Sequence, residues 1–369
     1  MPAKTPVHPF YERLSLVLIG LLSLGYIVIQ GKDVLDPLIF GFLFAILLYP
    51  VARFVEKIIR LPRAVACLIA ILLLITFVGG ILYAVGSQIS NLASDWPQLK
   101  GQVHQSLGDL REWIRSAFHI TASKQMTYVN NTTKKIMASG ADVLGTTFGA
   151  VSSLMLFYTF ILIFTFFILL YRKLLIHFIV WVFSDDYEPI VHDIVENIQS
   201  ILRQYILGLL LEMFVVACLA CTAFWIIGIQ YAVLLGLIVA LFNLIPYLGI
   251  FTALLLSSLI TFATGGIQHT AWVAVSIIGI HAVDSNILLP TIVGSKVKLN
   301  ALITFLGIIL GEMIWGLSGM FLSIPIMAIF KIIFDRVQSL KPWGYLLGNG
   351  VEEDKSTMKK MKPARADKT

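Results

Sequence analysis

The sequence predicts an all-α polytopic membrane protein, and three observations carry that reading. Of its 369 residues, 58% are hydrophobic and 13% charged, and the charged share is about half that of a soluble domain. Mean hydropathy is +0.88. Apolar runs of roughly 20 residues recur along the chain, the length a helix rising about 1.5 Å per residue needs to cross a hydrocarbon core of about 30 Å. A water-exposed globule is excluded.

The net charge of +6 is not a nucleic-acid footprint, because Lys and Arg sit between apolar runs and form no basic face interleaved with aromatics. They read as topology determinants. Cys67, Cys218 and Cys221 fall inside apolar runs. With no ligand partners nearby, Cys218-x-x-Cys221 reads as two small packing residues on one helix face instead of a redox or zinc site. No Gly-rich phosphate loop or His-Glu-x-x-His motif occurs, so neither a cofactor nor a resident metal is expected.

Residues 1–86 hold three spans, Leu14–Gly31, Leu38–Ala52 and Ala64–Gly86, the second leaning on Pro37 at its start. Lys4 and Arg13 flank the first like a signal peptide, but no small-residue cleavage site follows, so an uncleaved span is expected. Residues 87–142 carry apolar side chains at helical spacing, among them Leu92, Trp96, Leu107, Leu110 and Trp113, and read as an extracytoplasmic amphipathic helical insert. Residues 143–203 hold a fourth span, Val143–Tyr171, whose aromatic run Phe157–Phe167 reads as lipid-facing packing, and then a surface helix over Ser184–Ser200.

Residues 204–340 form the core. A fifth span, Gln204–Ile227, contains Glu212, and from Met213 to Val283 no Asp, Glu, Lys or Arg occurs. Tyr231–Phe262 is broken in its middle by Asn243-Leu-Ile-Pro246-Tyr-Leu-Gly249, and Asn300–Phe334 by Gly311, Gly316, Gly319 and Pro325. Each half is roughly 18 to 25 Å long, mostly short of a crossing. The expectation is about six full transmembrane helices, the sixth at Ala271–Leu289, plus two re-entrant helical hairpins; eight full spans is the alternative. Residues 341–369 read as a disordered cytoplasmic tail.

Arg53, Lys57, Arg60 and Arg63, with Arg172 and Lys173, put their loops in the cytoplasm. Both termini are then cytoplasmic and the insert is outside. A hairpin at Tyr231–Phe262 also brings Lys296 and Lys298 inside, whereas a full span leaves them outside.

Ionisable groups inside lipid are costly and face bundle interiors or water paths. Counted from the nearest polar loops, Glu212, Asp284, Asn243 and Glu312 lie roughly 13, 9, 12 and 18 Å from the inner surface if both hairpins are re-entrant. The four would converge. His281, one turn from Asp284, either tunes its proton affinity or hydrogen-bonds structurally. Asn243 also reads as a helix cap, and Asp284-Ser-Asn286 as a group satisfying freed backbone. Gly316-Leu-Ser318-Gly319 matches the short pattern of rhomboid intramembrane serine proteases, yet no histidine follows His281. The helix break is the stronger reading.

Gln204-Tyr-Ile-x-Gly208, Tyr231-Ala-x-Leu-Leu-Gly236, Asn243-Leu-Ile-Pro246-Tyr-Leu-Gly249, Asp284-x-Asn286, Leu289-Pro290, Val293-Gly294 and Trp315-Gly316-x-x-Gly319-Met-Phe-Leu-Ser-Ile-Pro325 follow in fixed order, with Lys331 after them. This stretch resembles the C-terminal half of the autoinducer-2 exporter family of bacterial permeases. The resemblance implies a homo-oligomeric, multi-pass inner-membrane secondary transporter, not an enzyme, with residues 204–340 as its transport core. It moves a small polar solute or signal out of the cell, coupled to an ion; other members are described as sodium or lithium/proton antiporters, and a transported Na+ would then lie near Glu212 and Asp284. An intramembrane serine protease is the remote alternative.

The hairpin and full-span readings predict opposite faces for two loops. In a background lacking native cysteines, Gln268→Cys is expected to react with an impermeant maleimide in intact spheroplasts while Lys296→Cys does not; the reverse pattern rules out the first hairpin.

Overall fold

The structure is a computed structural model that describes residues 10–95, 101, 108, 153–183, 187–245, 248–293 and 299–348. Among these residues it is helical, with no strands and six helices long and apolar enough to cross a membrane. It is an all-α polytopic membrane protein. The greater part of the insert, Pro246, Lys296, Lys298 and residues 349–369 lie outside the described residues; the start of the expected disordered tail, Lys341–Leu347, is instead helical.

Helix α1 (Phe10–Gln30) leads through Gly31 into α2 (Lys32–Lys57), and α3 spans Arg63–Ser94. Pro37 does not start α2. The helix begins five residues earlier, directly after Gly31, and takes Asp36 and Pro37 into its buried face; Gly31 bonds back to the Ile27 carbonyl at 2.7 Å and accepts from Leu35 at 2.8 Å, so α1 and α2 follow one another almost without a gap. α3 runs eight residues past the expected boundary at Gly86, to Ser94. Helix α4 is described over Ser153–Leu170. Its aromatic run is only partly outward: Phe160 and Phe167 are exposed, but Phe157 meets Phe40 edge to face at 5.8 Å.

A bend at Tyr171 opens α5 (Arg172–Val182), an apolar helix with no buried residue. Arg172 pairs with Glu56 and lies 5.3 Å from the Tyr49 ring, fastening this bend to the end of α2. The expected surface helix and fifth span are one element, α6 (Glu188–Ile227), 40 residues long. Pro189 sits in the first turn, where its missing N–H is harmless. α6 ends at Gly228, whose φ of 83° is the left-handed cap a side chain resists.

Two helical hairpins follow. In the first, α7 (Ala232–Asn243) turns back into α8 (Leu248–Val283). Gly249 lies in the first turn of α8 and does not itself break the chain; an added Cβ there would strike the Phe242 carbonyl, so glycine is needed for close return. α8 is itself split at Gly266, φ 71°. Its second arm continues into a stretch of wider π-type turns over Asp284–Val293 that contains Pro290. In the second hairpin, α9 (Ala301–Trp315) returns as α10 (Leu317–Arg336), and a short α11 (Lys341–Leu347) follows. The break is Gly316 alone, at φ 69° and ψ −139°. Gly319 and Pro325, expected as breaks, lie inside α10, and Gly311 lies inside α9. The entering arms, 12 and 15 residues, are shorter than a crossing, but the returning arm α10 has 20, longer than expected because the helix runs on through Pro325.

Between apolar helices in lipid, close van der Waals packing replaces the hydrophobic effect as the cohesive term. The glycines show it. A Cβ at Gly311 would strike the Gly319 carbonyl, and one at Gly319 the Gly311 carbonyl, so the arms of the second hairpin touch backbone to backbone. A Cβ at Gly236 on α7 would come within 2.7 Å of the Cys221 nitrogen on α6. Cys221 is therefore a packing residue, whereas Cys218 is exposed.

Gly311→Val and Gly319→Val are each expected to lower the melting midpoint of the purified protein in detergent, through an overpacking cost of about 1–3 kcal/mol. Gly279→Ala, where an added Cβ meets nothing, is expected to leave the midpoint unchanged or raise it. Equal midpoints for all three variants would contradict the backbone contact.

Candidate functional site

The first helix break carries a polar cluster. Asn243 is the last residue of α7, and its amide nitrogen has two hydrogens to give. One points to Glu212 Oε1 on α6 at 3.3 Å and the other to Asp284 Oδ2, at the start of the π-type turns, at 3.2 Å. Both carboxylates are buried, at 3% and 4% exposure, and they lie close enough to interact directly. Their other oxygens, Glu212 Oε2 and Asp284 Oδ1, are buried without a protein partner. Three elements separated in sequence thus meet at one amide.

Local sequence explains each placement. Glu212 lies mid-helix on the face of α6 that buries Leu209 and Val216, so helical spacing turns it inward with them. Asn243 ends α7 because the turn at Leu244–Ile245 bonds back only to Leu241 and Phe242. Asp284 opens the π-type stretch, a distortion that frequently marks a functional site. Asn286, exposed, donates to the Ala282 carbonyl at 2.7 Å and so serves its own helix. His281 shares an Nε2···Oγ contact of 3.2 Å with Ser285, and its Nδ1 is buried without a partner beside the cluster.

A cleft opens next to Asn243 and Asp284. Its empty volume is about 270 Å³, mouth included, and His281, Val216, Val239, Ile250 and Ile277 are among its walls. The cleft is apolar except at one end, where Asp284, Asn243 and His281 line it and Glu212 lies behind the Asn243 amide.

The structure brings together three of the four residues expected to converge. Glu312 is not among them: it is exposed on α9 and its side chain has no partner among the described residues. Depth along a helix does not specify azimuth, and the inward face of α9 carries Gly307, Ile308 and Trp315 instead. Ser318, the residue of the protease-like pattern, bonds Asp36 and the Trp315 carbonyl, and no histidine contacts it among the described residues.

Residues 14–339 match the family described as AI-2E family transporter. The chain belongs to the AI-2E transporter family. YueF of Bacillus subtilis is 25% identical over 319 residues, covering 83% of this chain and 86% of its own length. A protein of Methanothermobacter thermautotrophicus is 25% identical over 308 residues, covering 83% and 88%, and YhhT of Escherichia coli 21% identical over 354, covering 95% and 96%. Each is named, provisionally, as a transport protein, and no name gives a substrate. This family member therefore combines a match over nearly its whole length with a buried acid pair among its apolar helices.

Sequence reasoning missed two polar contacts in this transporter. Asp36 was hidden because a search for charge-free windows starts the second span after it. Tyr231, at the entrance to α7, donates its hydroxyl to Asp95 at the end of α3 over 2.6 Å. Burial, then the neighbouring carboxylate, pushes the Tyr231 phenol up to about 12. Both are long-range pairings that spacing alone does not reveal.

If the amide of Asn243 bridges the acids, Asn243→Ala and Glu212→Gln should not act independently. A double-mutant cycle on unfolding free energy is expected to give a coupling of about 0.5–3 kcal/mol. Additivity to within about 0.5 kcal/mol would deny the bridge.

Proposed function

We propose that this AI-2E family member is an ion-coupled secondary transporter whose coupling site is built from Glu212, Asp284 and Asn243. The observation that carries this is the pair of buried carboxylates held by one amide. Two negative charges side by side in a dry site are too costly to persist unless a proton or a metal cation neutralises them. Glu212 Oε2 and Asp284 Oδ1 are the oxygens left to take it. Carboxylates beside an interrupted helix are the groups with which transporters of broken-helix design hold Na+ or H+.

A small polar solute or signal, moved out of the cell, is the cargo that the family's name supports. A second reading, sodium or lithium/proton exchange, is favoured by the lining of the cleft. Its walls are otherwise aliphatic, with Val216, Val239, Ile250, Ala253, Ile277 and Ile280, and offer a solute of several hydroxyls few partners. A monovalent cation needs only the oxygens already present. The short entering arms of both hairpins support re-entry from opposite faces, with the first turn reaching into the inner half of the membrane. The resemblance extends the reading to a homo-oligomer in the bacterial inner membrane with both termini cytoplasmic.

In proteoliposomes, addition of Na+ or Li+ is expected to dequench an internal pH dye if the protein exchanges cations for protons. Silence toward both cations across a range of pH, with autoinducer-2 accumulating inside a deletion strain, selects signal export. Under either cargo, Glu212→Gln and Asp284→Asn are each expected to abolish or strongly reduce coupled transport in protein that remains folded. Full transport by both variants removes the acid pair from the mechanism.

A further inference from the structure

The second helix break has its own buried acid, which the coupling site does not use. Asp36, on the second turn of α2, is 4% exposed. Its Oδ2 is hydrogen-bonded to Ser318 Oγ in the first turn of α10, and its Oδ1 is buried with no partner. The same serine hydroxyl lies 3.0 Å from the carbonyl of Trp315, the last residue of α9. The Trp315 indole in turn donates to the Val28 carbonyl of α1 at 3.0 Å, so the turn is wedged between α1 and α2.

Two acceptors, Asp36 Oδ2 and the Trp315 carbonyl, share the single hydroxyl of Ser318. Gly316 interrupts the helix after Trp315, and the ladder of α10 begins with the Met320 N–H on the Gly316 carbonyl at 3.0 Å. A carbonyl only accepts, and Ser318 has one hydroxyl proton. With Asp36 ionised, that hydrogen goes to Oδ2 and the Trp315 carbonyl loses its donor; with a proton on Asp36 Oδ2, Ser318 accepts from the acid and gives its own hydrogen to Trp315, and both acceptors are satisfied. In the protonated arrangement the unpartnered Oδ1 is a neutral carbonyl oxygen, a far smaller burden at a buried position than an ionised one. Among the described residues the charged group that faces Asp36 is Lys32, an exposed residue one turn earlier on α2. From α1 and from the second hairpin the facing groups are carbonyls, an indole and a hydroxyl; none of them titrates near neutrality.

We propose that Asp36 is a second proton-carrying carboxylic acid of the transport cycle, whose proton latches the turn of the second hairpin to α2 through Ser318. Loss of the proton turns the serine hydroxyl to Asp36, withdraws the donor from the Trp315 carbonyl and leaves a buried charge whose Oδ1 lacks a partner until water reaches it. The turn must move away from α2 to admit that water. Proton release and opening at this end of the hairpin are one event.

The role in the cycle rests on the ion-coupled reading; the protonation does not. Infrared difference spectra of the full-length protein in lipid nanodiscs at neutral pH test the protonation directly. Wild type minus Asp36→Asn is expected to show the carbonyl stretch of a protonated carboxyl, and in Ser318→Ala that band is expected to persist at higher frequency, its hydrogen bond gone. Differences confined to ionised carboxylate bands overturn the proposal. Should Asp36→Asn fail to fold, the Ser318→Ala spectrum decides alone, since an unmoved carboxyl band is equally fatal. For the cycle, Ser318→Ala is expected to displace the pH profile of Na+-driven dequenching in proteoliposomes; coincident profiles overturn that role. A transport failure of the Glu212 and Asp284 variants leaves the infrared result unaffected, so the two readings fail separately.

Discussion

A helix interrupted inside lipid exposes backbone groups that hydrocarbon cannot satisfy, and each must find a partner within the protein. That constraint organises the core. At the first interruption Asn243 is gripped by Glu212 and Asp284; at the second, Ser318 closes the Trp315 carbonyl and is held by Asp36. In both places the supporting acid comes from a different long helix. The turns are thus fixed by side-chain chemistry, and the surrounding helices are positioned so that α2, α6 and α8 can deliver it.

Cohesion elsewhere comes from shape. The second hairpin closes through glycine against glycine, and Phe40 stacks on Phe321 at 5.6 Å to seat α10 on α2. Thr165, fully buried, satisfies its hydroxyl on the Ile161 carbonyl at 2.7 Å where α4 passes Gly41. Contacts of this kind hold only at short range and have little long-distance pull.

Much of this was legible in the sequence. A lone Glu212 in an apolar run, an Asn–Pro–Gly interruption and Asp284 before Pro290 all stand out, because charge and helix breakers are rare where lipid is the solvent. Element type was equally clear, since crossing length and apolarity leave few choices. What was lost is angular and cooperative information. Depth counted along a helix leaves its face open, and Glu312 lies on the exposed side of α9; Gly319 and Pro325 looked like breakers but are tolerated within α10, the first for close packing. Asp36 was set aside by the very rule that delimits spans, and the merger of the surface helix with the fifth span depended on a continuous hydrogen-bonded backbone across Arg203, which polarity masked.

That merger has a mechanical consequence. At about 1.5 Å per residue, the 40 residues of α6 make a rod well beyond the thickness of hydrocarbon, with Glu212 inside it and Asp193 near its protruding end. There Asp193 meets Arg336, the last residue of α10, over 2.6 Å. A rod and the returning arm of a hairpin are therefore clasped outside the oily layer by an exposed ion pair, a type of joint that is weak and softened by salt. Ionic strength therefore bears directly on how firmly α6 and α10 are held together at this end.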